Sequence, residues 1–146
     1  MKEQKETFAD ICDEFIGKPW SRTGYGPDSY SCVGLCYAFL KRTGKSMDEQ
    51  LWNGSEIKVE NYQDFRDAKP KETVEILMRI FSQIGEEISV NNKIAGDFII
   101  WTMEDGRFHP GIYVGNGMFM ASYVNSCVKV FSLKKDKISV VKVRRL

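Results

Sequence analysis

The chain has 146 residues with 42% hydrophobic and 28% charged side chains, and its 21 basic and 20 acidic residues give a net charge of +1. This composition excludes a collagen, a disordered tail and a membrane-spanning chain, and it is typical of one globular domain. The small net charge provides no long-range field that would gather nucleic acid or anionic lipid. The first ten residues lack the apolar core of a secretory signal, so we expect synthesis in the cytoplasm.

The four cysteines are expected to be reduced thiols that bind no metal. They are Cys12, Cys32, Cys36 and Cys127. Without an export signal, disulfides are not expected. Tetrahedral zinc sites use close pairs such as C-x2-C, and this chain has no such pair and a single histidine. We therefore expect no zinc site in this chain.

Apolar residues at helical spacing predict three amphipathic helices in the first half of the chain. They cover residues 2–16, 32–43 and 70–84, and each is followed by a glycine: Gly17, Gly44 and Gly85. Between the first two, residues 18–31 are rich in Gly, Pro, Asp and Ser, which predicts an ordered loop. Residues 45–69 are polar and weakly periodic, so we expect an insertion or lid-like segment that overhangs the cleft.

After residue 95 the apolar period changes to two, which predicts five β-strands in succession. They fall in the segments GDFIIWTM, FHPGIYVG, MFMASYV, CVKVFS and ISVVKVRRL. Asp105-Gly106 and Asn116-Gly117 are typical of type I′ hairpin turns, so the first three strands should form an antiparallel meander. Helices followed by an antiparallel sheet indicate an α+β fold, with residues 1–146 as one domain.

His109 and Cys32 are the candidates for a catalytic pair. His109 is the sole histidine and lies near the start of a predicted strand, and a base that works near neutral pH is most often histidine. Cys32 falls in the first turn of the predicted second helix, where backbone N–H groups and the helix dipole stabilise a thiolate. A lone histidine is more often a packed or solvated imidazole, so the pairing depends on its sequence context. We assign Cys12, Cys36 and Cys127 to packing.

Two stretches around these residues resemble the NlpC-type cysteine peptidases of bacterial cell walls. The first comprises Gly17-Lys18-Pro19-Trp20, Gly24, Gly26-Pro27-Asp28 and Tyr30-Ser31-Cys32-Val33-Gly34-Leu35. The second comprises Gly96-Asp97-Phe98-Ile99-Ile100-Trp101 and His109-Pro110-Gly111-Ile112-Tyr113-Val114-Gly115-Asn116-Gly117-Met118-Phe119. Their order and spacing are similar to the nucleophile region, the Gly-Asp-Leu strand and the histidine hairpin of that family. The Pro-Trp pair resembles members encoded by phages and prophages near tail genes.

The resemblance implies a papain-like fold in which the nucleophile, at a helix N-terminus, packs on a five-stranded antiparallel sheet. Cys32 would form a thioester with the substrate carbonyl, and His109 would take and return the proton. The oxyanion would be held by the Cys32 backbone N–H and by a donor at the position of Trp20, for which core packing is the alternative role. Tyr25 and Ser31 are the other residues expected at this oxyanion or substrate subsite.

Three positions depart from the family's pattern. Ser31 replaces the Asp that usually precedes the nucleophile, although it keeps an oxygen that can cap the helix. Pro110 replaces a Val and removes a strand N–H, which suggests a sheet edge or a bulge. Ala121 stands where the family has a His, Asn or Gln that accepts the second N–H of the imidazole. Ser122 and Asn125 are the candidates to supply that acceptor.

The resemblance implies a cysteine endopeptidase that cleaves peptidoglycan stem peptides between D-glutamyl and diamino-acid residues and needs no metal or other cofactor. The alternative is a catalytically inactive binding or structural module on the same fold, for example in a phage tail, which Ala121 and Ser31 favour. A permuted arrangement with Cys127 as nucleophile fails because Cys127 is predicted in a strand, away from any helix N-terminus. We expect a monomer that binds stem peptides or a phage-tail partner, without nucleic acid or membrane. It would act after release to the cell wall or within a phage particle.

Overall fold

The computed structural model describes residues 6–21, 24, 26–45, 85–103, 106 and 108–146. The predicted third helix lies outside these residues, as do Tyr25 and all but the first residue of the predicted lid segment. The described residues contain two α-helices and an antiparallel sheet, and the site is assembled where the second helix meets that sheet.

Helix α1 spans Phe8–Asp13 and starts with a capping box. The Thr7 hydroxyl accepts a hydrogen bond from the Asp10 N–H, and the Asp10 carboxylate accepts one from the Thr7 N–H. Hydrogen bonding to Thr7 lowers the pKa of Asp10. The helix is shorter than predicted, because the chain leaves it through turns that end at Gly17, whose φ of 87° suits glycine.

Helix α2 spans Cys32–Arg42, which confirms the predicted second helix. Ser31 caps its start, since the Ser31 side chain accepts from the Gly34 N–H at 2.9 Å. Its end is closed by Gly44, at a φ of 79°, and by a bond from the Lys45 N–H to the Leu40 carbonyl. Within the described ranges, no helix is long and apolar enough to cross a membrane.

The described part of the chain forms one sheet of six strands in the order β1-β6-β2-β3-β4-β5, with every neighbouring pair antiparallel. The strands are β1 Glu86–Ile88, β2 Phe98–Thr102, β3 Phe108–Gly115, β4 Met118–Ser122, β5 Val128–Ser132 and β6 Ser139–Arg145. The predicted α+β class and the meander of β2, β3 and β4 are therefore confirmed. The predicted number of five strands is wrong, because the short and mostly polar β1 pairs with the end of β6 and carries no alternating pattern.

The two predicted hairpin turns have different outcomes. Asn116 and Gly117 both have positive φ, 53° and 73°, which confirms the type I′ turn between β3 and β4. The connection from β2 to β3 differs, because Thr102 pairs with Phe108. That register is one residue out of step with the two-residue turn predicted from Asp105-Gly106, and Asp105 itself lies outside the described residues.

Pro110 lies within β3, and β3 has β2 on one side and β4 on the other. The pairing of β3 with β4 runs from Ile112 to Gly115, so Pro110 has a paired strand residue only on the β2 side, which fits the predicted sheet edge. Pro110 pairs with Ile100, and the register shift next to it lies between β2 and β6, at Ile100 and Trp101.

Side chains of the sheet alternate between two buried clusters, one on each face. The helix face packs on α2 and includes Phe98, Ile100, Ile112, Met120 and Val128. The opposite face, which we call the aromatic face, includes Ile99, Trp101, Tyr113, Phe119, Ala121 and Val143. Helix α2 lies on β3 and β4. Its first residue, Cys32, therefore contacts β4 at the end that lies away from the Asn116-Gly117 turn.

The buried carboxylate of Asp97 anchors the last strand to the sheet. Asp97 is 2% exposed and accepts two bonds of 2.9 Å from the Arg145 guanidinium and one of 2.8 Å from the Ile94 N–H. Hydrogen bonding to Asp97 raises the pKa of Arg145. Bidentate pairs of this kind fix geometry as well as charge. The Gly-Asp motif therefore has a structural role in this chain.

We expect Asp97→Asn to lower the free energy of unfolding by about 2 kcal/mol, because it removes one partner of a buried, hydrogen-bonded ion pair. Urea denaturation followed by circular dichroism measures the change. The matched control is Glu87→Gln, which breaks the exposed pair of Glu87 with Lys142 and should leave stability unchanged. Equal effects of the two substitutions would contradict the anchoring role of Asp97.

Candidate active site

Cys32 is the first residue of α2, and its side chain lies against the end of β4. Its Sγ donates a hydrogen bond to the Ser122 carbonyl at 3.2 Å, and the residue is 5% exposed. The helix N-terminus favours a thiolate at this position. The bond to a carbonyl favours the protonated thiol instead. In this arrangement Cys32 is the donor to the Ser122 carbonyl, and its sulfur must leave that carbonyl before it can react as a thiolate.

The loop before α2 packs closely on the first turn of the helix because the residue that it meets there, Gly34, has no side chain. A Cβ atom on Gly34 would lie 2.0 Å from the Gly24 carbonyl oxygen, which the backbone cannot accommodate. The same carbonyl accepts from the Ser31 N–H at 2.9 Å. The Cys-x-Gly spacing thus has a direct cause, since Gly34 lets the loop approach the helix start that carries Cys32.

Ser122 connects the nucleophile, the loop and the sheet. Its hydroxyl donates to the Tyr30 carbonyl at 2.7 Å, while its own carbonyl accepts from Cys32. The Tyr30 carbonyl also accepts from the Ser21 N–H at 3.2 Å. Since Ser122 is 3% exposed, these bonds are sheltered from water. Ser122 therefore holds the end of β4 in place against both the loop and Cys32.

His109 is the second residue of β3, and its half-buried ring stacks on the Trp101 indole of β2. The two residues are register partners, with ring centroids 4.6 Å apart and planes inclined by 33°. The pairing of β3 with β4, which joins Ile112 to Met120, places His109 at the same end of this hairpin as Ser122. His109 approaches that end from the aromatic face and Cys32 from the helix face. The candidate base and nucleophile thus lie at one strand end.

The residues predicted for the oxyanion subsite surround the start of α2. Trp20 is half-buried, forms a parallel bridge with Tyr30, and has a buried indole Nε1. Ser31 is 1% exposed, and its side chain serves as the helix cap. The capping function expected of Ser31 is confirmed. The binding roles of Trp20 and Ser31 stay predictions, and Tyr25 lies outside the described residues.

Ala121, at the position of the family's orienting residue, and the two candidates to replace that residue lie in three different environments. Ala121 is buried on the aromatic face and pairs with Lys129. Ser122 points to the opposite face, where its hydroxyl proton is used by the Tyr30 carbonyl. Asn125 is exposed in the turn after β4, at a φ of 59°. An orienting role for Ser122 would compete with its bond to Tyr30, and the role of Asn125 stays a prediction.

Trp101 is the site residue that the sequence analysis missed. It stacks on His109, and its Nε1 donates to the Pro110 carbonyl at 3.1 Å. A correct register between β2 and β3 would have found it, because directly opposed residues of an antiparallel pair share a face. The expected two-residue turn would have placed Pro110 opposite Trp101 instead.

The other cysteines differ from Cys32 in their surroundings. Burial and the nearby Asp13 charge raise the pKa of Cys12 to about 11. Burial, with a smaller effect of Cys32, raises the pKa of Cys36 well above its usual value. Both thiols therefore fit the packing role predicted for them. Among the described residues, no cluster of three or more His, Cys, Asp or Glu side chains could hold a metal ion.

We expect iodoacetamide at pH 6.5 to modify Cys32 more than about tenfold faster than Cys12 or Cys36, because a raised pKa leaves little thiolate. The test uses a Cys127→Ser background, which removes the half-buried Cys127 thiol, with peptide mapping of the native protein. Cys32→Ala should leave the slow labelling of Cys12 and Cys36 unchanged. The assignment fails if either of them reacts before Cys32.

Gly34→Ala should displace the Gly24 carbonyl and slow the alkylation of Cys32, with a loss of about 2 kcal/mol in unfolding free energy from overpacking. The matched control is Gly44→Ala at the other end of α2, where an added Cβ meets no atom within 4 Å. Its positive φ makes the control mildly destabilising, but Cys32 should keep its alkylation rate. If both variants slow Cys32 equally, the close approach at Gly34 does not position the nucleophile.

Comparison with known proteins connects this geometry to one family. The NlpC/P60 family model matches residues 17–144. Among solved structures, the NlpC/p60 domain of the peptidoglycan hydrolase SagA is 22% identical with a TM-score of 0.58, over 94% of this chain and 97% of that chain. A search of curated proteins gives no match.

Two longer proteins share the fold. NlpC1 from Trichomonas vaginalis is 24% identical with a TM-score of 0.60, over 94% of this chain and 42% of that chain. An NlpC/P60 family protein from Bacillus cereus is 18% identical with a TM-score of 0.59, over 97% of this chain and 41% of that chain. The chain thus spans less than half the length of these two proteins. The likenesses confirm the papain-like fold, and because the family match includes both the nucleophile helix and the histidine hairpin, the chain belongs to the NlpC/P60 family.

Proposed function

We propose that this chain is a cysteine endopeptidase that hydrolyses peptidoglycan stem peptides between D-glutamyl and diamino-acid residues. The observation that carries the proposal is the position of Cys32, whose thiol lies at the N-terminus of α2 and against the strand end near His109. The proposal is also supported by the similarity to SagA, which is described as a peptidoglycan hydrolase.

In the proposed reaction, His109 takes the proton of Cys32, and the thiolate attacks the carbonyl carbon of the scissile peptide. An S–C bond forms, and backbone N–H groups at the start of α2 stabilise the oxyanion. The imidazolium then protonates the leaving amine, the C–N bond breaks, and a thioester remains. His109 next takes a proton from water, which attacks the thioester, and Cys32 leaves as the thiol after the proton returns.

The resting hydrogen bond to Ser122 affects the first of these steps. A thiol can donate to a carbonyl oxygen, whereas a thiolate at the same position would be repelled by it. Loss of the proton to His109 therefore also releases Cys32 from the Ser122 carbonyl. In this way deprotonation and movement of the sulfur towards the substrate are one event.

A second candidate function is an inactive binding or structural module, for example in a phage tail. The observation that favours it is Ala121, a buried methyl group at the position where the family has a polar side chain. Without an acceptor at that position, the second N–H of His109 needs another partner to fix its tautomer. Both candidates place the protein at the cell wall, either released from the cell or carried in a phage particle.

Purified protein should release new amino termini from stem-peptide fragments, and Cys32→Ala and His109→Ala should each lower the rate by more than about 1000-fold, because nucleophile and base act as a unit. Cys127→Ala is the control that should retain activity, and EDTA should have no effect. Cleavage that survives Cys32→Ala would contradict the thioester mechanism. Tight binding of stem peptides without turnover by the wild type would support the inactive module instead.

A further inference from the structure

The aromatic face contains a contact that bears on the orientation of His109. We propose that Trp101 is a positioning residue, which holds the plane of the His109 imidazole in place of the polar group that is missing at Ala121. This inference rests on the proposed pairing of Cys32 with His109. It concerns a residue that never touches the reacting atoms and acts through the histidine.

The Trp101 indole is itself held in one orientation. It is 2% exposed, and its Nε1 donates a hydrogen bond to the Pro110 carbonyl at 3.1 Å. Its ring packs on two phenylalanine rings, with centroids 4.8 Å from Phe119 and 5.7 Å from Phe131. A Cβ atom on Gly111 would lie 3.0 Å from Nε1, so the glycine provides the space in which the indole lies across β3. A hydrogen bond at its edge and rings packed against it thus immobilise Trp101.

Stacking on an immobile ring fixes the histidine in a way that suits a base. The centroid separation of 4.6 Å is within the range of attractive ring pairs, and the two residues are directly opposed on β2 and β3. Indole also attracts cations over its face, so the contact persists when the imidazole is protonated. Because stacking uses the face of the imidazole, the contact with Trp101 occupies neither ring nitrogen.

Ala121 and Trp101 are complementary on this face. Both belong to the buried cluster of the aromatic face. An acceptor at position 121 would fix the imidazole through a hydrogen bond, whereas Trp101 fixes it through contact area. The loss of the polar group is therefore matched by a different means of orienting the same ring.

The test is a double-mutant cycle on the alkylation rate of Cys32 by iodoacetamide at pH 6.5. We expect His109→Ala and Trp101→Leu each to lower the rate by about tenfold, and the double variant to be no slower than either single variant. Trp101→Phe keeps a ring under the imidazole and should retain at least about half of the rate. Val143→Ala is the matched control, because it removes volume from the same buried cluster but no ring that packs on Trp101, and it should leave the rate unchanged.

Additive losses in the double variant, or a wild-type rate in Trp101→Leu, would overturn the proposal.

If Trp101→Leu does not fold, the ring protons of His109, the sole histidine, report on the wild type by NMR. Their resonances should be shifted upfield by the indole, and unshifted resonances would overturn the proposal. None of these measurements needs a substrate, so a failure to cleave peptidoglycan would contradict the proposed function without affecting them. An unchanged Cys32 rate in His109→Ala would overturn both the pair and the role of Trp101.

Discussion

The hydrogen bond from Cys32 to the Ser122 carbonyl is the contact on which the site depends, because it joins the start of α2 to the end of β4. The neighbouring features hold those two ends in place. The Ser31 cap fixes the first turn, Gly34 admits the loop, and the Ser122 hydroxyl binds the Tyr30 carbonyl. With the helix start fixed in this way, the antiparallel meander determines where His109 lies, since the register of β3 with β4 brings it to the same end.

The two faces of the sheet have different functions in this arrangement. The helix face buries α2 and thereby supplies the N-terminus that favours a thiolate. The aromatic face holds the ring of His109 through Trp101. The ion pair of Asp97 and Arg145 acts elsewhere, at the junction of the last strand with the sheet, and stabilises the fold without contributing a group to the reaction. The site therefore requires both faces, and it lies at the strand end where they adjoin.

Much of the site could be predicted from local patterns. Apolar spacing and a serine cap predict α2 with Cys32 at its start, and Asn116-Gly117 predicts a turn that the positive φ angles confirm. The missed features depend on partners distant in the chain. The strand β1 is too short and polar to show a period, and its pairing with β6 is a tertiary contact. The stacking of His109 on Trp101 depends on a register that the turn sequence predicts wrongly by one residue.

The central claim, that Cys32 and His109 form a coupled acid–base pair, is tested most directly by an NMR titration of the His109 imidazole in the wild type and in Cys32→Ser. A sole histidine gives one set of ring resonances, so the midpoint is assigned without ambiguity. A nearby thiolate stabilises imidazolium, and we therefore expect the wild-type midpoint to lie above that of Cys32→Ser. Equal midpoints in the two proteins would contradict the pair.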